Sequence, residues 1–236
     1  DPAPAAVTAL TNAIPLSATI TNGNALQYYQ FDVSTNALSV AFEILGANGN
    51  VDLYVRRGLP LPNTASYDYR SINPGTTDEL VSVDENSLPM PLNPGTWYLG
   101  VFNATGVPVN YQVRATEVSA NIIVVTNGVP LDFTANVGAL TNFFQFVIDQ
   151  TNSAALFELY NLSGNADLLL RRGAFPNTLA YDFSSENAPG PLYEQIVVRT
   201  NGFLPVLNGV WYLTVPNNEA VPVTFTIRGI VSANGL

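Results

Sequence analysis

Cysteine, histidine and lysine are all missing from this chain, so arginine supplies its entire complement of eight cations. Without cysteine there is neither a disulfide framework nor a thiolate nucleophile, and the redox compartment is not disclosed. With His and Lys gone as well, the usual nucleophile–base pairs cannot be assembled. No G-x-S-x-G and no phosphate-cradling glycine loop takes their place. Eight arginines against 18 acids leave a formal net charge of −10, which excludes the phosphate neutralisation that nucleic-acid binding needs and argues against an anionic membrane surface. Long apolar runs are absent too, and none approaches the roughly 18 residues of a membrane span. The opening DPAPAAVTAL lacks the basic and apolar regions of a secretory signal and reads as a mature or excised start, compatible with a secreted parent.

What fills the chain is apolar and neutral polar. Hydrophobic residues make up 47% and charged residues 11% of 236 positions. Asn, Thr, Ser, Gly and Pro occupy the remainder, a composition that folds with many turns rather than staying disordered. The length suits one large or two ordinary domains, each able to bury a core.

The chain is written twice. YYQF (Tyr28–Phe31) returns as FFQF (Phe143–Phe146), Glu43 as Glu158, and VDLYVRRG (Val51–Gly58) as ADLLLRRG (Ala166–Gly173), all at a spacing of 115. Past the arginine doublet the spacing falls to 114: PNTASYDY (Pro62–Tyr69) returns as PNTLAYDF (Pro176–Phe183), NPGTWYLGV as LNGVWYLTV, and VPVNYQVR as VPVTFTIR. A unit of this length is domain-sized. The reading is two tandem homologous domains, 1–118 and 119–236, meeting near Val118–Asn121.

In each copy, β-branched and aromatic runs alternate with Gly/Asn/Pro clusters, and no sustained 3.6-residue apolar period occurs. QYYQFDV, LSVAFEIL, VDLYVRR, SYDYRS, TWYLGVF and VNYQVRATE are the strands expected in the first copy. NG pairs at Asn22–Gly23, Asn48–Gly49, Asn127–Gly128 and Asn208–Gly209 offer positive-φ turn residues. The fold class expected is all-β, two antiparallel sandwiches.

The order of these pieces, best marked by GNVDLYVRRG/GNADLLLRRG and PGTWYLGV/NGVWYLTV, resembles the bacterial pre-peptidase C-terminal domain, here in tandem. The resemblance implies a jelly-roll-like β-sandwich carried as a non-catalytic accessory module by secreted bacterial hydrolases and surface proteins, with roles in secretion, substrate adhesion or spacing. It places the chain outside the cell or on its surface, within a larger multidomain protein. Related collagen-binding modules hold calcium through acids in an N-terminal linker. That site does not carry over, because DPAPAAVTAL has a single acid. The family face is also altered where Leu169 stands for Tyr54.

Side chains alternate along a strand, so Asp52, Tyr54 and Arg56 share one face of VDLYVRR while Leu53, Val55 and Arg57 share the core face. If the next strand returns as a hairpin, Arg56 stands opposite Asp68 and Arg171 opposite Asp182. Cross-strand ion pairs are expected there, each contributing about 0.2–1 kcal/mol. Appearing in both copies, the doublet reads as a fold requirement, and planar arginine suits carboxylate pairing.

For chemistry, paired carboxylates at Asp78/Glu79 and Asp84/Glu85 are the sole acid–base candidates, and only Glu79 has a counterpart, Glu194; solvated loop charge is the plainer reading, and no catalytic residue is assigned. Calcium is a weak candidate through Asn50, Asp52, Asp68 and Glu79, with Asn165, Asp167, Asp182 and Glu194 in the second copy; no other cofactor is implied. Aromatics bear on binding. Trp97 and Trp211 belong with aliphatic neighbours in the core, which leaves Tyr98 and Tyr212 outside. Tyr54 and Tyr98, joined by Tyr67 or Tyr69, would form a flat patch able to stack on sugar rings or a peptide. Two functions remain: an accessory module binding a polysaccharide, a protein polymer or a cell-surface component, and a spacer with no ligand. An exposed aromatic patch or groove marks the first; small scattered patches mark the second.

Overall fold

The computed structural model describes residues 5–21, 23–138, 140–149, 154–187, 193–200 and 207–232. It is all-β among those residues. The chain divides into two compact units, Asp1–Ser119 and Ala120–Leu236.

The first unit holds β1 (Val7–Ala9), β2 (Leu16–Ile20), β3 (Leu26–Val33), β4 (Ala37–Leu45), β5 (Val51–Arg57), β6 (Tyr69–Ser71), β7 (Glu79–Asp84), β8 (Gly95–Asn103) and β9 (Val109–Ser119). They form a five-stranded sheet, β1-β3-β8-β5-β6, and a four-stranded sheet, β2-β9-β4-β7. The second unit holds β10 (Asn121–Val124), β11 (Leu131–Ala135), β12 (Asn142–Ile148), β13 (Ala154–Tyr160), β14 (Leu168–Arg172), β15 (Phe183–Ser185), β16 (Glu194–Arg199), β17 (Gly209–Thr214) and β18 (Val223–Ser232). Its sheets repeat the scheme as β10-β12-β17-β14-β15 and β11-β18-β13-β16. Pairing is antiparallel except for β1 with β3 and β10 with β12, which run parallel.

Period-two patterning makes the sandwich. In β4, Val40, Phe42 and Ile44 are fully buried, while the intervening Ser39, Ala41 and Glu43 face away. Such half-apolar faces are covered when two sheets stack. The core of the first unit gathers Phe31, Phe42, Leu53, Val55, Trp97 and Leu99 from both sheets. That of the second gathers Phe144, Phe146, Phe157, Leu168, Trp211 and Leu213. Each tryptophan donates its indole N–H to a carbonyl four residues back, Trp97 to Asn93 at 3.0 Å and Trp211 to Leu207 at 2.8 Å. The polar handle is satisfied, so the ring can be buried whole.

Three strands of the first unit, β1, β2 and β7, lie outside the segments expected from alternation. ELVSVD (β7) buries Glu79, Val81 and Val83 on one face, so the Glu79 expected in a solvated loop stands inside a strand. The NG turns also differ. Gly128 and Gly209 take positive φ, 74° and 132°. Gly49 is instead required by close approach, since a Cβ there would lie 2.8 Å from Val109 Cγ2. Asn22 lies outside the described residues.

Candidate functional site

The arginine doublet fixes the first question of geometry. β5 and β6 pair with Val55 opposite Tyr69, and β14 and β15 with Leu170 opposite Phe183. This register sets Arg56 against Asp68 and Arg171 against Asp182. The ion pairs expected there do not form. Asp68 turns its carboxylate onto the backbone N–H of Arg57 at 2.8 Å, and Asp182 accepts from the N–H of Arg172 at 2.8 Å. At a strand end that N–H has no ladder partner, and a charged acceptor satisfies it better than water. Arg56 donates to Ser66 Oγ at 2.7 Å, and Arg171 to the Phe175 carbonyl at 3.2 Å. Arg57 donates to the Pro94 carbonyl at 2.8 Å, and Arg172 lies over the Trp211 ring at 5.7 Å. The first arginine of each doublet clasps the connection that follows it, and the second holds the chain at the start of β8 or β17.

The ion pairs sit in the other sheet. Glu43 faces Arg114 across β4 and β9, and Glu158 faces Arg228 across β13 and β18. Arg114 grips Glu43 through Nε at 2.7 Å and a terminal nitrogen at 2.9 Å; Arg228 reaches Glu158 Oε1 through Nε at 2.6 Å. Tyr193 also donates to Glu158. Burial, then the Glu158 hydrogen bond, pushes the Tyr193 phenol up to about 12. The same Glu–Arg pair recurs in both copies, so the same cross-strand reasoning applied to LSVAFEIL and VNYQVRATE would have found it.

The tyrosine patch is not an exposed surface. Tyr54 is only 5% exposed. Tyr67 packs over it with centroids 5.4 Å apart, and Arg70 lies 5.3 Å above Tyr67. The connection from β5 to β6 folds back onto this face: a Cβ on Gly100 would meet the Pro62 carbonyl at 3.1 Å and Tyr28 Cε1 at 3.4 Å. Tyr69 points inward, 6.3 Å from the Trp97 ring, and donates its hydroxyl to the Met90 carbonyl. Tyr98 and Tyr212 do face outward and are half-buried. In the second unit Phe175 of the same connection wedges between Phe143, at 4.5 Å, and Tyr212, at 4.9 Å. The departure at Leu169 fits this covering, since Leu169 is 2% exposed. The expectation erred because alternation tells which face a side chain takes, not whether a loop returns over that face.

The acids proposed for calcium are each engaged separately. Glu79 is fully buried; it accepts from Ser71 and from the Asn73 N–H at 2.8 Å. Burial raises its carboxyl above the ordinary range, and the Asp52 charge adds to that. Glu194 does the same work with Ser185 and Asn187. Asp52 receives the Tyr54 hydroxyl at 3.4 Å, with its carboxyl raised by burial. Asp167 receives Asn218 Nδ2 at 2.8 Å. Among the described residues no three acids converge where they could hold a metal ion. Two of the paired acids cap turns: Asp78 takes the Gly46 N–H at 2.8 Å, and Asp84 takes Asn86 N–H and Ser87 Oγ, each at 2.9 Å.

Concave surface lies elsewhere, on the four-stranded sheets. In the first unit a groove of about 640 Å³ runs along β2 and β9 to Gly46, lined by Ser17, Thr19, Asn110 and Gln112. In the second a groove of about 470 Å³ runs along β11 and β18 to Asn161, lined by Asp132, Thr134, Thr224 and Thr226. The two occupy equivalent positions of the repeat. Within them Thr19 bonds Asn110 at 2.6 Å and Thr226 bonds Asp132 at 2.6 Å, so the polar groups are held in place. Sequence reading missed both grooves, because small polar residues on an outer strand face carry no motif.

Residues 26–103 match the family model of the bacterial pre-peptidase C-terminal domain. That span runs from the start of β3 to the end of β8, and so contains the Glu79 keystone, the doublet and the buried Trp97. Pre-peptidase C-terminal domains are typically non-catalytic modules of secreted bacterial proteins. No curated protein matches the chain. Similar solved structures include a Eubacterium rectale protein provisionally described as secreted, at 13% identity and TM-score 0.23, covering 88% of this chain and 69% of the other. Another is a triple jelly-roll protein of an archaeal virus turret, at 12% identity and TM-score 0.24, covering 91% of this chain and 58% of the other.

Proposed function

We propose that the chain is a non-catalytic accessory segment of a secreted or cell-surface bacterial protein, and that its two grooves bind a neutral polysaccharide. One observation carries the reading: a concavity of ligand-sized volume recurs at the same place in both units, about 640 and 470 Å³. Its lining explains the ligand class. Ser17, Thr19, Asn110 and Gln112, like Thr134, Thr224 and Thr226, offer hydroxyl and amide groups that both donate and accept. Among the described residues Asp132 is the only charged one lining either groove, and the chain as a whole carries −10, so anionic polymers are repelled. The reading calls for no cofactor.

The spacer reading is favoured by a different observation: among the described residues, exposed apolar side chains are mostly aliphatic, and Tyr181 and Tyr193 are the only large aromatics there. The two are separated by retention on insoluble neutral and anionic polysaccharides. The chain is expected to be held by a neutral polymer, and Asn110→Ala combined with Thr224→Ala should cut retention about ten-fold or more through lost hydrogen bonds, with the melting temperature preserved. Passage through every neutral polymer would establish the spacer.

A further inference from the structure

Beside the second groove lies a feature of different chemistry. A pocket of about 50 Å³ opens among β11, β12, β17 and β18, lined by Phe133, Phe144, Phe225 and Ala135, with Asn136 and Asn142 also on its wall. The three rings contact one another at 5.1, 6.2 and 5.9 Å. They make an apolar cradle.

Comparing the copies shows how it arose. Where the second unit has Ala135, Thr141, Asn142, Phe144 and Phe225, the first has Ile20, Leu26, Gln27, Tyr29 and Tyr111. Every one of these five is smaller in the second unit. In the first, the two tyrosine hydroxyls bond at 2.8 Å and Tyr111 reaches Gln27 Oε1 at 3.0 Å, occupying the same region with satisfied polar groups. Three exchanges run the other way: Phe133, Leu140 and Thr214 stand for Ala18, Ala25 and Gly100, and Phe133 supplies a wall. Polar capacity remains on the wall. Asn142 Oδ1 accepts from Asn121 Nδ2 at 2.9 Å, which leaves the Asn142 Nδ2 group to donate.

Size and polarity narrow the occupant. A dry cavity near 150 Å³ accepts the six carbons of benzene, so a volume of about 50 Å³ admits about two heavy atoms, a methyl and the carbon that bears it. Three phenyl rings cannot solvate a charge, while Asn136, Thr141, Asn142 and Thr214 on the wall supply neutral polar partners, so the lining suits an uncharged group with one apolar and one polar end. We propose that this pocket seats the acetyl methyl end of the acetamido substituent of an N-acetylated sugar, with the carbonyl oxygen and the amide nitrogen at its mouth. The methyl lies against the Phe133, Phe144 and Phe225 rings, and the carbonyl accepts from the Asn142 amide. The inference rests on the polysaccharide reading for the rest of the ligand and adds that the second unit selects the acetylated sugar.

The full chain, isotopically labelled at Ala and Leu methyls, is titrated with N-acetylglucosamine oligomers and with glucose oligomers of equal length. The acetylated series is expected to move the Ala135 and Leu140 methyl resonances and the glucose series to leave them still. Ala135→Ile, which restores the first unit's residue, should weaken the acetylated ligand about ten-fold or more, as filling a snug apolar pocket does, while the melting temperature holds or rises. Equal responses to both series, no response to either, or unchanged binding by Ala135→Ile would overturn the pocket. Retention on a glucose polymer without methyl shifts would sink the pocket and keep the groove reading. Methyl shifts without retention on any polymer would do the reverse.

Discussion

At the scale of single residues, this protein spends its few charges on holding backbone. Asp68 and Asp182 satisfy strand-end amides, Glu79 and Glu194 organise the turns that lead into β7 and β16, and Glu43 and Glu158 clamp arginines across the four-stranded sheets. Glu79 carries a consequence for pH. Burial raises its folded carboxyl above the unfolded value. A group shifted that way contributes its full stability below the unfolded pKa and loses it as pH rises through the folded pKa. Asp52 is shifted in the same direction by burial. The melting temperature of the native protein, relative to Glu79→Gln, is therefore expected to climb as pH falls from 7 towards the ordinary glutamate range. A difference that stays flat or shrinks across that interval would show the buried carboxyl to be unshifted. The presence of these acids in both copies was plain in the amino-acid order. Their partners were not, because Asp68 had two donors within reach, a guanidinium opposite and an amide beside it, and the unpaired amide claimed the carboxylate.

At the scale of elements, the connection between β5 and β6 decides what the five-stranded sheet shows to solvent. It is anchored by Arg56 on Ser66 and by Asn63 Oδ1, which accepts from the Ala65 and Ser66 amides at 2.9 Å. It lies over Gly100, where any larger residue meets the Pro62 carbonyl. Gly100→Val is expected to lift the connection, costing about 1–3 kcal/mol as overpacking does, and to speed amide exchange across residues 58–68 while β4 and β9 stay protected. Unchanged exchange in that segment would mean that the sheet face was open already. The second unit tolerates Thr214 at the equivalent place because its connection brings Phe175 down onto Phe143 and Tyr212 instead. The strands that alternation exposed, such as QYYQFDV and LSVAFEIL, were legible because a two-residue period is written locally. β1 and β2 escaped notice: VTA is three residues long, and LSATI shows solvent most of its length.

At the scale of the whole molecule, each unit encloses its own core, and the two cores share no residue. Fragments 1–119 and 120–236 are expected to fold separately, each with a single cooperative melt and the amide protection of its own sheets in the full chain. A fragment that lacks dispersed amide resonances would contradict this autonomy. What the amino-acid order determined by itself was the β class and the recurrence of its segments, since side-chain alternation and turn residues act over a few neighbours. Tertiary structure alone decided the strand order, the partner of each charge, the covering of the tyrosines and the position of the grooves. Those outcomes depend on segments up to about a hundred residues apart, such as Thr19 with Asn110 and Asp132 with Thr226, and no local pattern records which distant surfaces will meet.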